Sequence, residues 1–263
     1  MGIGSSVRAA VLASLLVVAP GAPSAEPVAV RYLEGVARGF LSLRSPDGRA
    51  LASGDLIQNV RGDRVTSRLI YRFKDGSLSD DTAVFSQRGH FRLIREHLIQ
   101  RGPTFDQPID MTIDGAAGRV VVRYTNSHGE EKVEDEHMDL PPDLANGLLI
   151  TLLKNVRATA LPPSVSFLAA TPKPRLVKLK ISAAGREPFS VAGSTRHAMH
   201  YVIKVDIGGI AGMVAPLVGK QPDDSHVWVM DGEAPAFVRS RAPMFNGGPL
   251  WQTDLVSPVW PRN

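Results

Sequence analysis

The 263-residue chain has no cysteine. That excludes a disulfide framework, a thiolate nucleophile and thiolate metal ligation, as well as lipoprotein processing, which attaches lipid to a cysteine at the cleavage point. Aromatic residues are scarce, at 6% of the chain, and Lys and Arg are scattered rather than gathered on one element. The stacking platforms and basic stripes of nucleic-acid binders are therefore missing, and no nucleic-acid partner is expected. Catalytic signatures are missing too. There is no GxSxG elbow, no HExxH pair, and Gly219-Lys220-Gln221 lacks the hydroxyl and spacing of a phosphate-cradling loop. The expectation is a chain without cofactor, read first as non-enzymatic, with an enzyme left open.

Histidines and carboxylates offer little more. His197 and His200 are three apart, which on a strand sends them to opposite faces, and His90 and His97 share the defect. His137 sits in a charged, turn-flanked strand, so no metal site is expected. Asp80-Asp81, Glu130-Glu131, Glu134 to Glu136 and Asp223-Asp224 with His226 lie beside turn residues and read as solvated loops. A pair of them acting on an envelope polymer stays open as a third reading, because sequence does not show how far apart two carboxylates stand.

The first twenty-five residues read as a signal peptide. Arg8 gives the positive start, Ala9 to Ala19 a short apolar run and Pro20 to Ala25 the cleavage region. The run is well short of the roughly 20 residues needed to span a bilayer, and no later stretch is long enough. The expectation is an exported protein, periplasmic or extracellular in a bacterium, with no transmembrane span once the leader is cut after Ser24 or Ala25. A retained N-terminal anchor is the minority alternative. Loss of Arg8 lowers the formal net charge of +4 by one, which ordinary solubility explains as well as an anionic partner does.

The remainder, residues 26–263, reads as one mainly β domain. Ser45-Pro46-Asp47-Gly48, Arg61-Gly62-Asp63, Lys74-Asp75-Gly76, Asp114-Gly115, Ser127-His128-Gly129 and Asp231-Gly232 supply turn chemistry. The tripeptide at 61–63 is therefore a hairpin turn rather than an adhesion motif. Between turns the residues alternate. Val65, Ser67, Leu69, Tyr71 and Phe73 share one face against Arg64, Thr66, Arg68 and Arg72. Val120, Val122 and Tyr124 repeat the pattern, as do Val177, Leu179 and Ile181, and then Met199, Tyr201, Ile203, Val205 and Ile207. Such alternation marks antiparallel strands with one apolar face. Eleven or twelve strands are expected in a large curved sheet or open half-barrel, in two sets, about 34–140 and 164–257. A plugging helix over about 143–156 joins them, with Pro141-Pro142-Asp143 as its start and Leu144, Leu148, Leu149, Leu152, Leu153 and Val156 at helical spacing.

Two segments are unusual. Residues 207–219 carry no charged or polar side chain and are softened by Gly208, Gly209 and Gly212, which suits either an apolar tip or lid, or a buried crossover. Trp228, Trp251 and Trp260 concentrate near the end of the chain, where they line a cavity or fill the core.

Several stretches resemble a group of uncharacterised exported bacterial proteins. They are Gly35 to Arg44, Arg72 to Ser77, Val84 to Gly89, Gln100 to Thr104, Gly219 to Pro222, His226 to Val229 and Ala234 to Phe237. The likeness covers nearly all of the chain after the leader, and its motifs carry no assigned chemistry. In architecture alone the pattern is similar to periplasmic half-barrels that hold lipid or lipoprotein chains, which implies a role in binding an apolar ligand. The first reading is thus a non-enzymatic periplasmic binding or carrier protein for a lipid-like ligand. Its contacts are expected at Leu148 and Leu152 on the helix and at Ile210, Met213, Val214 and Leu217 on the tip. The alternative is an envelope module that binds another protein, or a scaffold.

Overall fold

The computed structural model describes residues 26–191, 194–206, 222–230 and 232–259. The expected leader, the segment at 207–219 with Ile210, Met213, Val214 and Leu217, and Trp260 lie outside the described residues.

The described residues form fourteen antiparallel strands and one short helix. The first set is β1 (Ala37–Arg44), β2 (Ala50–Arg61), β3 (Arg64–Phe73), β4 (Leu78–Arg88), β5 (His90–Arg101), β6 (Ile109–Asp114), β7 (Arg119–Thr125) and β8 (Glu131–His137). Helix α1 (Leu149–Asn155) follows, then β9 (Val165–Ala169), β10 (Arg175–Val191), β11 (Ser194–Asp206), β12 (Ser225–Met230), β13 (Ala236–Pro243) and β14 (Leu250–Val259). Each strand pairs with its sequence neighbours except across α1, and β1 pairs with β14, so one sheet runs β8 through β1 and then β14 through β9. Its two edges, β8 and β9, are not paired with each other. The mainly β half-barrel with a plugging helix is therefore what forms, with more strands than the turn signals imply. The charged segment around His137, read as a turn-flanked strand, forms β8 at the sheet edge.

Turn chemistry fixes the hairpins. Gly48, Gly62, Gly76 and Gly129 all take positive φ at the tips named above, whereas in the β6–β7 turn it is Gly118 rather than Gly115 that does so. The alternating faces of β3, β7, β10 and β11 turn their apolar side chains inward. Val65, Phe85 and Phe91 from the first set meet Leu179, Ile203 and Val229 from the second around Leu148, Leu152 and Leu153. The sheet thus curls until its halves share a core.

The seam between the edges is bridged by side chains and by a short strap. Ile113 and Val122 pack with Leu144 and Leu168. Along the free side of β9, Ala145 N–H donates to Ser166 O at 2.8 Å. Asp143 accepts from Ser166 N–H at 3.0 Å and from its hydroxyl at 2.7 Å. Asn146 accepts from Leu168 N–H at 2.7 Å and donates to Leu168 O at 2.9 Å. These bonds satisfy backbone groups that a bare edge strand would offer to another chain.

This strap corrects the expected helix. The helix begins at Leu149, not near residue 143, with Leu148 as its N-cap and no side-chain cap. Gly147 has φ 62°, outside helical space, and a Cβ there would lie 2.4 Å from Ala83 Cβ. The leucine spacing is real, but residues 143–147 answer to β9 and β4 rather than to helix propensity. A seven-residue helix is too short to persist alone, so packing must hold it. At its far end Asn155 Oδ1 accepts from the N–H groups of Arg31 and Tyr32 at 2.9 and 2.8 Å. The Arg31 guanidinium donates to Asn155 O and Val156 O at 3.3 and 3.2 Å, satisfying carbonyls the helix terminus leaves free.

Replacing Asn146 by Ala leaves the buried Leu168 N–H and C=O without partners. Denaturant unfolding is expected to show a loss of about 2–4 kcal/mol, whereas Lys132→Ala, on exposed β8, should leave the midpoint unchanged.

Candidate functional site

The interior of the curled sheet is not filled throughout. A cavity of about 230 Å³ lies between α1 and the inner faces of β1–β4, β13 and β14. Its wall is mostly apolar, with Leu41, Leu56, Leu69, Ile150, Phe237 and Leu255. A second, more open hollow of about 620 Å³ lies at the end of α1 between Arg31, Arg157, Arg186 and Glu233. The second has several charged residues in its lining, whereas the first joins an apolar wall to buried polar groups.

One polar cluster there is fully partnered. Glu34, buried at 7% exposure, reaches Lys154 Nζ at 2.5 and 2.6 Å. It also accepts from Gln58 Nε2 at 2.9 Å. Gln87 Oε1 accepts from Glu34 N–H at 2.7 Å, so the chain before β1 is tied to α1, β2 and β4. Tyr71 reaches Thr253 Oγ1 at 3.2 Å across Gly54, where a Cβ would come within 2.7 Å of the Tyr71 ring. Burial pushes the Tyr71 phenol up to about 12, and Thr253 offsets this only in part, so the phenol keeps its proton at any working pH.

The other cluster is not partnered. Asp81 on β4 lines the cavity, and its Oδ1 is buried without a hydrogen-bond partner among the described residues. Glu96 on β5, 3% exposed, lies behind it with Oε2 likewise unpartnered. Burial, and then the charge of Asp80, pushes the Asp81 carboxyl up to about 7, against a smaller opposing effect of His97. Burial and the neighbouring Asp81 push Glu96 well above the usual carboxylate range, and a hydrogen bond from Asn146 offsets this in part. Two carboxyls so placed resist ionising together, and both are raised chiefly because burial removes the water that would stabilise the charged form.

Asp80 and Asp81 are therefore not in a solvated loop. They sit mid-strand, Asp80 turned out to Arg68 Nη2 at 2.6 Å and Asp81 turned in. Glu96 escapes sequence reasoning because Val84 pairs with Arg95 but Phe85 with Leu93. Ile94 is the extra residue of a bulge, and beyond it the inward positions become the even ones. Only Asp81 of the pair lines the cavity, with Glu96 behind it, so the two do not face each other across a polymer-sized cleft.

Of the expected contact residues, Leu148 and Leu152 are 1% and 4% exposed and pack within the core. The helix lines the cavity with Ile150, Thr151 and Lys154 instead. Trp251 is core, while Trp228 lies on the outer face. There it stacks on His200 at 4.3 Å between ring centres and donates to Glu187 at 2.8 Å. His200 also contacts Glu187 at 2.8 Å and His226 at 2.9 Å. No metal-holding group of three or more His, Asp or Glu occurs among the described residues, and no described helix is long and apolar enough to cross a membrane.

No protein-family model matches the chain, and no curated protein matches it. A similar solved structure is described as the β-barrel-like protein of domain of unknown function DUF1849 from Brucella abortus. It is 11% identical, covers 88% of this chain and 100% of its own, and gives a TM-score of 0.49. No cavity residue is carried over from that neighbour.

The buried carboxyls give the fold a pH signature. Both hold protons in the folded chain at pH values where the unfolded chain has released them. Their contribution is therefore fullest below the ordinary carboxylate range and declines as pH rises toward about 7. Surface carboxylates such as Asp135, held low by Arg119, run the other way, so the comparison is variant against parent. Asp81→Asn is expected to raise Tm at pH 8 by about 5 °C and leave it unchanged at pH 4, read by thermal melts.

Proposed function

We propose that this chain is an exported, non-enzymatic binding or carrier protein that holds a small lipid-like molecule inside the curled sheet. The observation that carries this reading is the cavity of about 230 Å³ with a mostly apolar wall, lying where a filled core would be expected. An engineered apolar cavity of about 150 Å³ takes a benzene ring, so this one has room for roughly nine non-hydrogen atoms. Removing about 200 Å² of apolar ligand surface from water yields about 5 kcal/mol before ordering costs. That corresponds to a Kd of about a millimolar or somewhat tighter, enough for a loosely held cargo. The export reading of residues 1–25 places this activity in the bacterial periplasm or outside the cell.

Adding 1-octanol to isotope-labelled protein should shift the amide resonances of Leu69, Ala83 and Ile150. Leu69→Trp, which fills the space, should abolish those shifts while keeping the β-sheet circular dichroism. Spectra unchanged at saturating octanol would overturn the carrier reading.

A second reading, an envelope protein-contact module, has one observation in its favour. Phe40 and Val256 are 51% and 56% exposed, at neighbouring register positions where β1 and β14 shift past each other. Photo-crosslinking from position 40 in intact cells that traps one protein in high yield, together with an octanol-silent cavity, would favour it.

A further inference from the structure

Among the interior carboxyls, Glu34 and Asp81 are treated in opposite ways. Glu34 is met by Lys154 and Gln58, and nothing is left for a ligand to supply. Asp81 is half-buried and lines the cavity, and its buried Oδ1 has no hydrogen-bond donor among the described residues. Leaving a buried acceptor unpaired is costly, so the empty state stores a preference for any ligand that brings a donor to that point.

The charges around Asp81 decide what kind of donor. On its own strand Asp80 is turned outward and held by Arg68. On β5, Glu96 lies behind it, adding negative charge or a neutral carboxyl, and His97 is turned outward to Asp110 at 3.0 Å. On α1, the Lys154 ammonium is held by Glu34. From β1, Arg38 reaches the cavity wall, but His97 is the one cationic group that acts on Asp81 among the described residues. The near wall is neutral, with Ser67 and Gln58. The site has an apolar wall and an anion, and neither of the two cations in its lining, Arg38 and Lys154, acts on Asp81.

We propose that the cavity is a site for a small amphiphile with a protonated amine head, the ammonium donating to Asp81 and the apolar tail lying against Leu56, Leu69 and Ile150. This rests on the carrier reading and sharpens it: the apolar wall supplies the affinity, and Asp81 selects the head. A bound ammonium favours the ionised carboxylate, so binding requires Asp81 to release its proton. Because that carboxyl titrates near 7, amine affinity rises by about tenfold between pH 6 and pH 8, whereas a neutral alcohol of the same length shows no such rise.

The test is calorimetric titration of the full chain with octylamine, 1-octanol and octanoate, which share an eight-carbon tail. The expected result is octylamine at least tenfold tighter than octanol at pH 8, octanoate weakest, and the amine advantage reduced to about twofold at pH 6. In Asp81→Asn, which keeps the shape and a neutral group, octanol should bind as before and the amine preference should vanish at both pH values. The wild-type pH dependence needs no variant, so it stands even if Asp81→Asn folds poorly. Octanol binding as tightly as octylamine, or octanoate binding tightest, overturns the amine head and leaves the carrier reading intact. Failure of all three to bind overturns both.

Discussion

One amide side chain, that of Asn146, bonds to both halves of this sheet at the seam between its edges. Asn146 satisfies both the N–H and the C=O of Leu168 on the free side of β9, and it also hydrogen-bonds Glu96 on β5. Only a group with both a donor and an acceptor a short reach from the backbone can do this. Much follows from that placement. The strap must run close beside β4, which is why Gly147 meets Ala83 with no room for a Cβ. The helix can then start only at Leu149, with Leu152 and Leu153 carried into the shared core. The cavity exists because a helix this short does not fill the space inside so many strands.

The two buried acidic sites make sense together. Burying a charge is tolerated when it is paired and hydrogen-bonded, and Glu34 meets that condition through Lys154 and Gln58. The same salt bridge ties the segment before β1 to the helix, so it serves the architecture. Asp81 and Glu96 meet it poorly, and their raised proton affinity is the chain's way of shedding the uncompensated charge. An interior that partners one carboxyl completely and leaves the next one open divides its polar groups between holding the fold and meeting something from outside.

Much of the fold was legible in the sequence, because antiparallel strands with one wet face write their burial as alternation. The inward residues of β3, β7, β10 and β11 follow that pattern, and glycine-bearing turns mark most hairpins. The helix was legible only in part. Leucines at helical spacing run from 144, but the first of them serve a strand edge, and spacing alone does not reveal a left-handed Gly147. The site divides along similar lines. Asp81 is in phase with Ala83 and Phe85, so its inward direction could be read from β4. Glu96 could not, since one bulged residue at Ile94 inverts the phase of β5 between Leu93 and Glu96. Asn146 gives no signal at all, because its partners are main-chain atoms of a residue far along the chain.

The pairing scheme also bears on how the molecule comes together. Every strand contact but one joins neighbours in sequence, and the exception is β1 with β14. Hairpins can therefore zip outward from their turns in each half with small loops to close, while the β1–β14 contact must gather the two ends of the whole meander. Until that long-range contact forms, β1 and β14 each present an open ladder of main-chain donors and acceptors. The bulge there, and Pro258 opposite Gly39 in β14, break the regularity of the ladder while it is waiting for its partner, and so make it a poor template for another molecule.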